Sequence, residues 1–125
     1  MKIKKIDHIV IPVSDIEKAI GFYVGVLNMR LDTSRNRYAV SFGSQKINLH
    51  VGLAEFLPAA KNPAYGSADL CLLVDGDLSE VKKELESKGI TIEEGIVRRN
   101  GACGPIDSIY VRDPNGNLIE LSVPT

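Results

Sequence analysis

The sequence contains no tryptophan and only two cysteines among its 125 residues. Cys71 and Cys103 form no CxxC or other closely spaced pair, so a disulfide between them is open but has no local signature. The scarcity of thiolates argues against a closed structural zinc site. Cys71 lies in the apolar run LCLLV, which predicts a buried thiol, whereas Cys103 lies in a glycine-rich stretch, which predicts an exposed one.

Long apolar runs and an excess of one charge are also missing. No run approaches the ~20 apolar residues that a membrane span requires, and no N-terminal signal peptide is recognisable. Lys plus Arg number 15 and Asp plus Glu 16, giving a formal net charge of −1. The basic runs are short, whereas a nucleic-acid binder usually concentrates positive charge on one face. We therefore expect a soluble, cytoplasmic protein without a membrane or nucleic-acid partner.

The sequence does contain one structural plan that occurs twice. Residues 6–13 and 67–74 are apolar, strand-like runs, and each is followed by the pattern of a helix N-terminal capping box. The boxes are Ser14-Asp15-Ile16-Glu17 and Asp77-Leu78-Ser79-Glu80, and an apolar helical stripe follows each of them. Three strand candidates come next in each half, at 29–34, 37–42 and 46–51 and then at 90–98, 107–112 and 117–123.

This order predicts an α+β protein made of two βαβββ modules. Module one comprises residues 1–52, and module two comprises residues 68–125. The segment 53–67, which contains Pro58, Pro63 and Gly66, is the expected linker. Each module alone would leave one sheet face wet, so we expect two such sheets to curve around a shared cleft.

The chain has only two histidines, and both lie in strand candidates. His8 is in the first strand of module one, and His50 is in its last strand. Aligning KINLH with GNLIE places Glu120 at the position of His50, and aligning DHIVIPV with ADLCLLV places Asp69 at the position of His8. Strand alternation puts His50 and Glu120 on the face opposite the apolar side chains.

This set of side chains predicts a metal site. Imidazole with carboxylate suits Zn, Ni, Mn, Co or Fe(II) rather than Ca. A single histidine in a strand is usually structural, but two histidines and a glutamate at related positions favour a ligand role. We therefore predict one divalent metal ion held by His8, His50 and Glu120, with Asp69 as a fourth ligand or as a partner of the ligands.

With these residues placed, the chain resembles the vicinal oxygen chelate superfamily, which includes glyoxalase I, fosfomycin-resistance proteins, bleomycin-resistance proteins and extradiol dioxygenases. The segments that carry the resemblance are IDHIVIPVSDIEKAIGFYVGVLNM, INLH and YVRDPNGNLIEL. The run SFGSQKINLH, among others, looks most like the branch of glyoxalase-domain-containing protein five and the virulence proteins. The resemblance implies two βαβββ modules in an incomplete barrel around a metal cleft, with ligands from the first and last strands of each module.

The resemblance also implies a function and an assembly. It implies a metal-dependent lyase or isomerase of glyoxalase type, whose small substrate chelates the metal through two neighbouring oxygens while Glu120 both ligates and moves a proton. The alternatives are an Fe(II) extradiol-type dioxygenase and a protein that binds or sequesters a small molecule such as an antibiotic. Family members of this length commonly form homodimers, sometimes with exchanged modules. Candidate substrate-shaping residues are Tyr38, Arg99, Tyr110, Arg112 and the Gly101–Gly104 loop.

The chain departs from the family pattern at two ligand positions. Extradiol dioxygenases and fosfomycin proteins have histidine at the position of Asp69. Glyoxalase I has histidine there as well, and has glutamate at the position of His50. The resemblance therefore implies a metal site without specifying glyoxalase I activity.

Overall fold

A computed structural model describes all 125 residues, which divide into two compact units, residues 1–65 and 66–125. Both units have the predicted order βαβββ. Unit one contains β1 (His8–Val13), α1 (Ile16–Ile20, continued by a π-helical segment Gly21–Val26), β2 (Arg30–Asp32), β3 (Tyr38–Phe42) and β4 (Gln45–Val51). Unit two contains β5 (Asp69–Leu73), α2 (Leu78–Ser87), β6 (Glu94–Gly101), β7 (Gly104–Arg112) and β8 (Leu118–Pro124).

Each unit forms one open, mixed sheet of four strands. The strand orders are β1-β4-β3-β2 in unit one and β5-β8-β7-β6 in unit two. The first strand of each unit pairs with its last strand in parallel, and the other pairs are antiparallel. A parallel pair needs a long crossover, which the helix and the two intervening strands supply in each unit.

Only one face of each sheet is apolar and buried. Along the strands, alternate residues point to the same face. In unit one the buried set is Ile11, Val13, Val40, Ile47 and Leu49, together with Ala19, Phe22 and Tyr23 of the helical segment. In unit two it is Ile109, Val111, Ile119 and Leu121, together with Leu78 and Leu85 of α2. We call the opposite side of each sheet its open face.

The two helices begin at aspartates. In unit two, Asp77 is the predicted cap and its carboxylate accepts from the backbone N–H of Ser79 at 2.8 Å. In unit one the prediction of a Ser14 cap was wrong, because Asp15 takes that place and accepts from the Lys18 N–H at 3.1 Å. Asp15, one residue after Ser14, has the extended backbone conformation that an N-cap residue needs.

None of the helices has the length and the apolar character that crossing a membrane requires.

The strands of unit two extend further than expected. We predicted strands at 90–98 and 107–112, with extra residues of module two between them. In the structure β6 extends to Gly101 and β7 begins at Gly104, so the two strands form one hairpin that turns between these glycines. The hairpin therefore carries Arg98 and Arg99 on strand positions. This extension makes the second sheet longer than the first.

The turn that leads into β8 is built around a buried polar pair. Asp113 and Asn117 are 5% and 1% exposed. The Asn117 side-chain N–H donates to Asp113 Oδ2 at 2.7 Å, and the Ala68 backbone N–H donates to Asn117 Oδ1 at 2.9 Å. Gly66 is required nearby, because its φ is +73° and a Cβ there would lie 2.4 Å from the Asn115 carbonyl oxygen. Asn117 thus ties the start of β5 to the start of β8.

We predict that Asn117→Ala lowers the free energy of unfolding by about 2–3 kcal/mol, because it removes the hydrogen bonds to the Ala68 N–H and to the buried Asp113 carboxylate. Urea denaturation measures the loss. Asn100→Ala removes the same side chain at an exposed position of β6 and serves as the control. Equal stabilities of the two variants would contradict this role for the buried pair.

Candidate functional site

His8 lies at the start of β1 on the open face of the first sheet, and it has a carboxylate partner. Its Nδ1 lies 2.7 Å from Asp7 Oδ1, and its side chain is 45% exposed. This hydrogen bond is the main reason why the pKa of Asp7 lies below its ordinary value. An imidazole that donates from Nδ1 keeps Nε2 as an acceptor in the neutral ring. A carboxylate that orients an imidazole in this way is typical of metal-binding histidines.

His50 lies on the same open face, in β4, and packs against an aromatic ring. The rings of His50 and Phe56 meet edge to face, with their centroids 5.1 Å apart. The guanidinium of Arg37 lies 3.9 Å from the centre of the same Phe56 ring. Phe56 thus links a candidate metal ligand to a cation on the same side of the sheet.

Glu120 lies on the open face of the second sheet and is held by two serines. Ser108 donates to Glu120 Oε2 at 2.5 Å, and Ser122 donates to the same atom at 3.4 Å. Ser108 and Ser122 are themselves 2.7 Å apart and fully buried. Both hydrogen bonds use Oε2, so they leave Oε1 available for a metal ion or a proton. The two hydroxyls therefore fix the orientation of the carboxylate.

Asp69 and Cys71 belong to β5, beside Glu120. Cys71 lies directly opposite Glu120 in the strand pair, and its Sγ lies 3.3 Å from Ser122 Oγ. The prediction of a buried Cys71 was wrong, because its side chain points to the open face and is exposed. Partial burial of the thiol is the main reason why the pKa of Cys71 is raised. The hydrogen bond with Ser122 lowers this pKa in part, and the negative charge of Glu120 raises it further. Cys103 is exposed as predicted, and both cysteines are free.

The four candidate ligands lie on the first and last strands of their units and on the open faces, but the register of strand pairing differs between the two units. His8 pairs with Lys46, four residues before His50, so the two histidines lie roughly 13 Å apart along the strands. Asp69 pairs with Leu118, two residues before Glu120, a separation of roughly 7 Å. The equivalence of the two modules therefore holds for strand and face, whereas their strand-pairing registers differ by two residues.

The four predicted ligands are divided between the two units. Nowhere do three His, Cys, Asp or Glu side chains lie close enough together to hold an ion. His8 and His50 belong to unit one, and Asp69 and Glu120 belong to unit two. The chemistry of the donors fits a divalent ion, since His8 keeps Nε2, Glu120 keeps Oε1, and imidazole with carboxylate suits the metals predicted above.

A cleft of about 730 Å³ borders Glu120 in unit two. Arg99 and Tyr110 form its polar wall. Arg99 Nε donates to the Tyr110 hydroxyl at 3.0 Å, and Arg99 Nη2 donates to a Glu94 carboxylate oxygen at 3.2 Å. Burial raises the pKa of Tyr110, the Arg99 hydrogen bond partly opposes this, and the nearby Glu120 charge adds to it. Of the predicted substrate-shaping residues, Arg99, Tyr110 and the Gly101–Gly104 turn line this cleft. Arg112 is engaged by both oxygens of Glu93, at 2.9 Å each.

A second cleft, also of about 730 Å³, lies on unit one and ends at His50. Tyr38 lines it, as does a group of polar and charged side chains that the sequence analysis did not single out. These are Asp32, Ser34, Arg35, Arg37, Lys46 and Asn48.

Several contributors to the site were missed because their role depends on contacts between distant residues. Ser108 meets Glu120 only through the pairing of β7 with β8, and Arg37 meets Phe56 only through the fold of unit one. For Ser108 a signal was present, since it is a polar residue between isoleucines in the strand IDSIYVR. Asp7 was visible as the neighbour of His8, but its hydrogen bond was not.

Comparisons with known proteins show the family and the fold to which this chain is similar. The family model described as Glyoxalase/Bleomycin resistance protein/Dioxygenase superfamily matches residues 5–121. Virulence protein STM3117 of Salmonella typhimurium is 51% identical over 123 residues, which cover 98% of this chain and 85% of that protein. Its crystal structure covers all of both chains with a TM-score of 0.97 and 49% identity.

Two further proteins bear on function. Glyoxalase domain-containing protein RDO1 of Mycosarcoma maydis is 46% identical over 122 residues, covering 98% of this chain and 69% of that protein. TnmS3, an antibiotic binding protein from Streptomyces, is 25% identical with a TM-score of 0.77, and the match covers 100% of this chain and 99% of that one. The fold thus occurs in proteins whose names describe different activities.

We predict that Cys71 reacts with iodoacetamide more slowly than Cys103 at neutral pH, because its raised pKa lowers the fraction of reactive thiolate. Peptide mass spectrometry over time measures both rates. Glu120→Gln removes a charge that raises the Cys71 pKa, so it should speed the reaction of Cys71. Glu94→Gln, which is not next to Cys71, is the control and should leave that rate unchanged; equal effects of the two variants would refute the explanation.

Proposed function

Because the chain belongs to the Glyoxalase/Bleomycin resistance protein/Dioxygenase superfamily, we propose that it is a metal-dependent lyase or isomerase acting on a small molecule that chelates the ion through two neighbouring oxygens. The observation that carries the proposal is the support given to the candidate ligands. Asp7 orients His8, and Ser108 orients Glu120, each leaving one donor atom available on an open face. Such partners are what metal ligands need to keep a fixed orientation.

The proposed ligands of one divalent ion are His8, His50 and Glu120. Asp69 is either a fourth ligand or a partner of the ligands. The identity of the ion, among Zn, Ni, Mn, Co and Fe, follows from the donors only as a class. Three or four protein ligands leave positions of a six-coordinate ion open for substrate oxygens, in contrast to a closed structural site.

The reaction that we propose needs a proton to be moved while negative charge develops on the substrate. When bound, the metal ion would supply Lewis-acid stabilisation of that charge. Glu120 is the candidate for moving the proton, because it lines the cleft and Ser108 holds its Oε2. Tyr110, opposite Glu120 in the strand pair, has a raised pKa and so stays protonated at neutral pH, which makes its hydroxyl a hydrogen-bond donor.

We further propose that the functional form is a homodimer. Apolar side chains remain exposed on both open faces, with Val10 47% and Leu73 66% exposed. Residues 1–65 carry nine Lys or Arg and five Asp or Glu, a formal charge of +4, whereas residues 66–125 carry six and eleven, a charge of −5. Opposite charges favour contact of unit one of a protomer with unit two of its partner. Such contact is one way to bring a histidine of one protomer close to the Glu120 of its partner.

One alternative has an observation in its favour. A protein that binds a small molecule without catalysis needs no metal ion. The antibiotic-binding TnmS3 shares the fold. An Fe(II) dioxygenase is the other alternative, since its site uses two histidines and one carboxylate. Elemental analysis of protein purified without added metal separates these functions, because Fe favours the dioxygenase and absence of any metal favours the binding protein.

We predict that His50→Ala reduces the metal content of purified protein from about one ion per chain to a small fraction of that. The lost imidazole is a ligand that no neighbouring side chain replaces. Inductively coupled plasma mass spectrometry measures the content. Asn48→Ala changes a residue on the same strand and face, two positions away, and should retain the metal. Unchanged metal content in His50→Ala would remove this residue from the site.

We predict that light scattering gives twice the 13.6 kDa mass of one chain. A mixture of two variants then tests exchange of modules. If each site combines unit one of a protomer with unit two of its partner, a His50→Ala protomer paired with a Glu120→Ala protomer rebuilds one intact site of two. Co-refolded mixtures should therefore recover metal that neither variant binds alone. A monomer would contradict the dimer, and a mixture without recovery would contradict the exchange.

A further inference from the structure

The cleft of unit one gathers cations that have no carboxylate partner. In unit two every arginine is paired, Arg98 with Asp107 at 2.7 Å, Arg99 with Glu94 at 3.2 Å and Arg112 with Glu93 at 2.9 Å. In unit one Arg35, Arg37 and Lys46 all line the cleft, and none has a carboxylate oxygen within 4 Å. Cations that converge on a cleft without anionic partners are a site for an anion.

The one carboxylate in this cleft is already engaged. Asp32 accepts a hydrogen bond from the Ser34 backbone N–H at 2.9 Å. Hydrogen bonds from Ser34 are the main reason why the pKa of Asp32 is lowered, and the charge of Lys46 adds a smaller part. The cleft therefore retains an excess of positive charge after Asp32 is counted.

Arg37 is the cation best prepared to bind a ligand. Its guanidinium lies over the face of Phe56, and Phe56 in turn meets His50 edge to face. Stacking fixes the plane of the guanidinium while its N–H donors remain at the edge of that plane. Arg37 also directly precedes Tyr38, which pairs with Leu49, so it extends β3 beside His50. An anion bound at Arg37 would lie next to this histidine.

We propose that Arg37, assisted by Lys46, binds an oxyanion group of the ligand, either a carboxylate or a phosphate, beside His50. The inference deepens the proposed function, and rests on it in assigning this group to the substrate: the substrate carries an anionic tail besides the two oxygens that chelate the metal. The planar fork of arginine binds both kinds of oxyanion through two hydrogen bonds. Lys46 contributes charge without that geometric requirement.

The test uses metal-free, ¹⁵N-labelled protein at low ionic strength, titrated separately with inorganic phosphate and with acetate. We expect saturable shifts of the Arg37 side-chain N–H and of the backbone amides of 37–39 and 46–50. Arg37→Gln should weaken binding about tenfold or more, as expected for loss of a charge-assisted, two-point hydrogen bond. Arg37→Lys should also bind more weakly, because it keeps the charge but loses the fork.

Arg98→Gln is the matched control, since it removes an exposed arginine of unit two and should leave both affinities unchanged. Binding of one probe only identifies that oxyanion as the tail and supports the proposal. The proposal is overturned by absence of saturable shifts with both probes, by equal losses in Arg37→Gln and Arg98→Gln, or by full affinity in Arg37→Lys. It is also overturned if Arg37→Gln dissociates the dimer, because the arginine would then serve the subunit contact.

This experiment is independent of the metal proposal. Anion binding is measured without metal, whereas the ligand set is tested by the metal content of His50→Ala. A protein that binds phosphate but no metal keeps the anion site and loses the catalytic proposal. A protein that binds metal but no anion keeps the ligand set and loses the anionic tail.

Discussion

Parallel pairing of the first strand with the last in each unit is the constraint on which the site depends. It places β1 beside β4 and β5 beside β8, with β1 and β5 at the sheet edges and β4 and β8 inside the sheets. A helix covers the apolar face of each sheet. Alternation along these strands sends the aliphatic side chains to the buried face and the polar ones to the open face. All four candidate ligands lie on these paired strands. A change that disturbs the pairing would move the ligands and the core together.

The sequence predicted strand and face well because both follow from local alternation. His50 lies between buried Leu49 and the strand end, and Glu120 lies between buried Ile119 and Leu121. Register is different, because it depends on which residues of two distant strands meet. A shift of two residues preserves the face of every side chain, so hydrophobic pattern cannot detect it. This is why the sequence could match the two modules in face without showing that their registers differ by two residues.

The missed features arise from geometry that no single segment encodes. The helix of unit one continues as a π-helical segment at Gly21–Val26, which brings Phe22 into the core beside Tyr23. Cys71 follows strand alternation rather than the apolar character of its neighbours, so it reaches the open face. Ser108 acquires its role from Glu120 on the neighbouring strand, and Asn117 acquires its role from Ala68, 49 residues away. Composition and local pattern give the scaffold, while the orientation of the ligands comes from tertiary contacts.

The nearly neutral chain conceals two units of opposite charge. A polyanion partner requires a large positive surface, which short basic runs and a net charge of −1 do not indicate. A small cleft requires less charge, because three cations without carboxylate partners are enough to select one oxyanion. Under the proposed function, unit one would supply positive charge for binding the anion, and unit two would supply the Glu120 carboxylate that moves the proton.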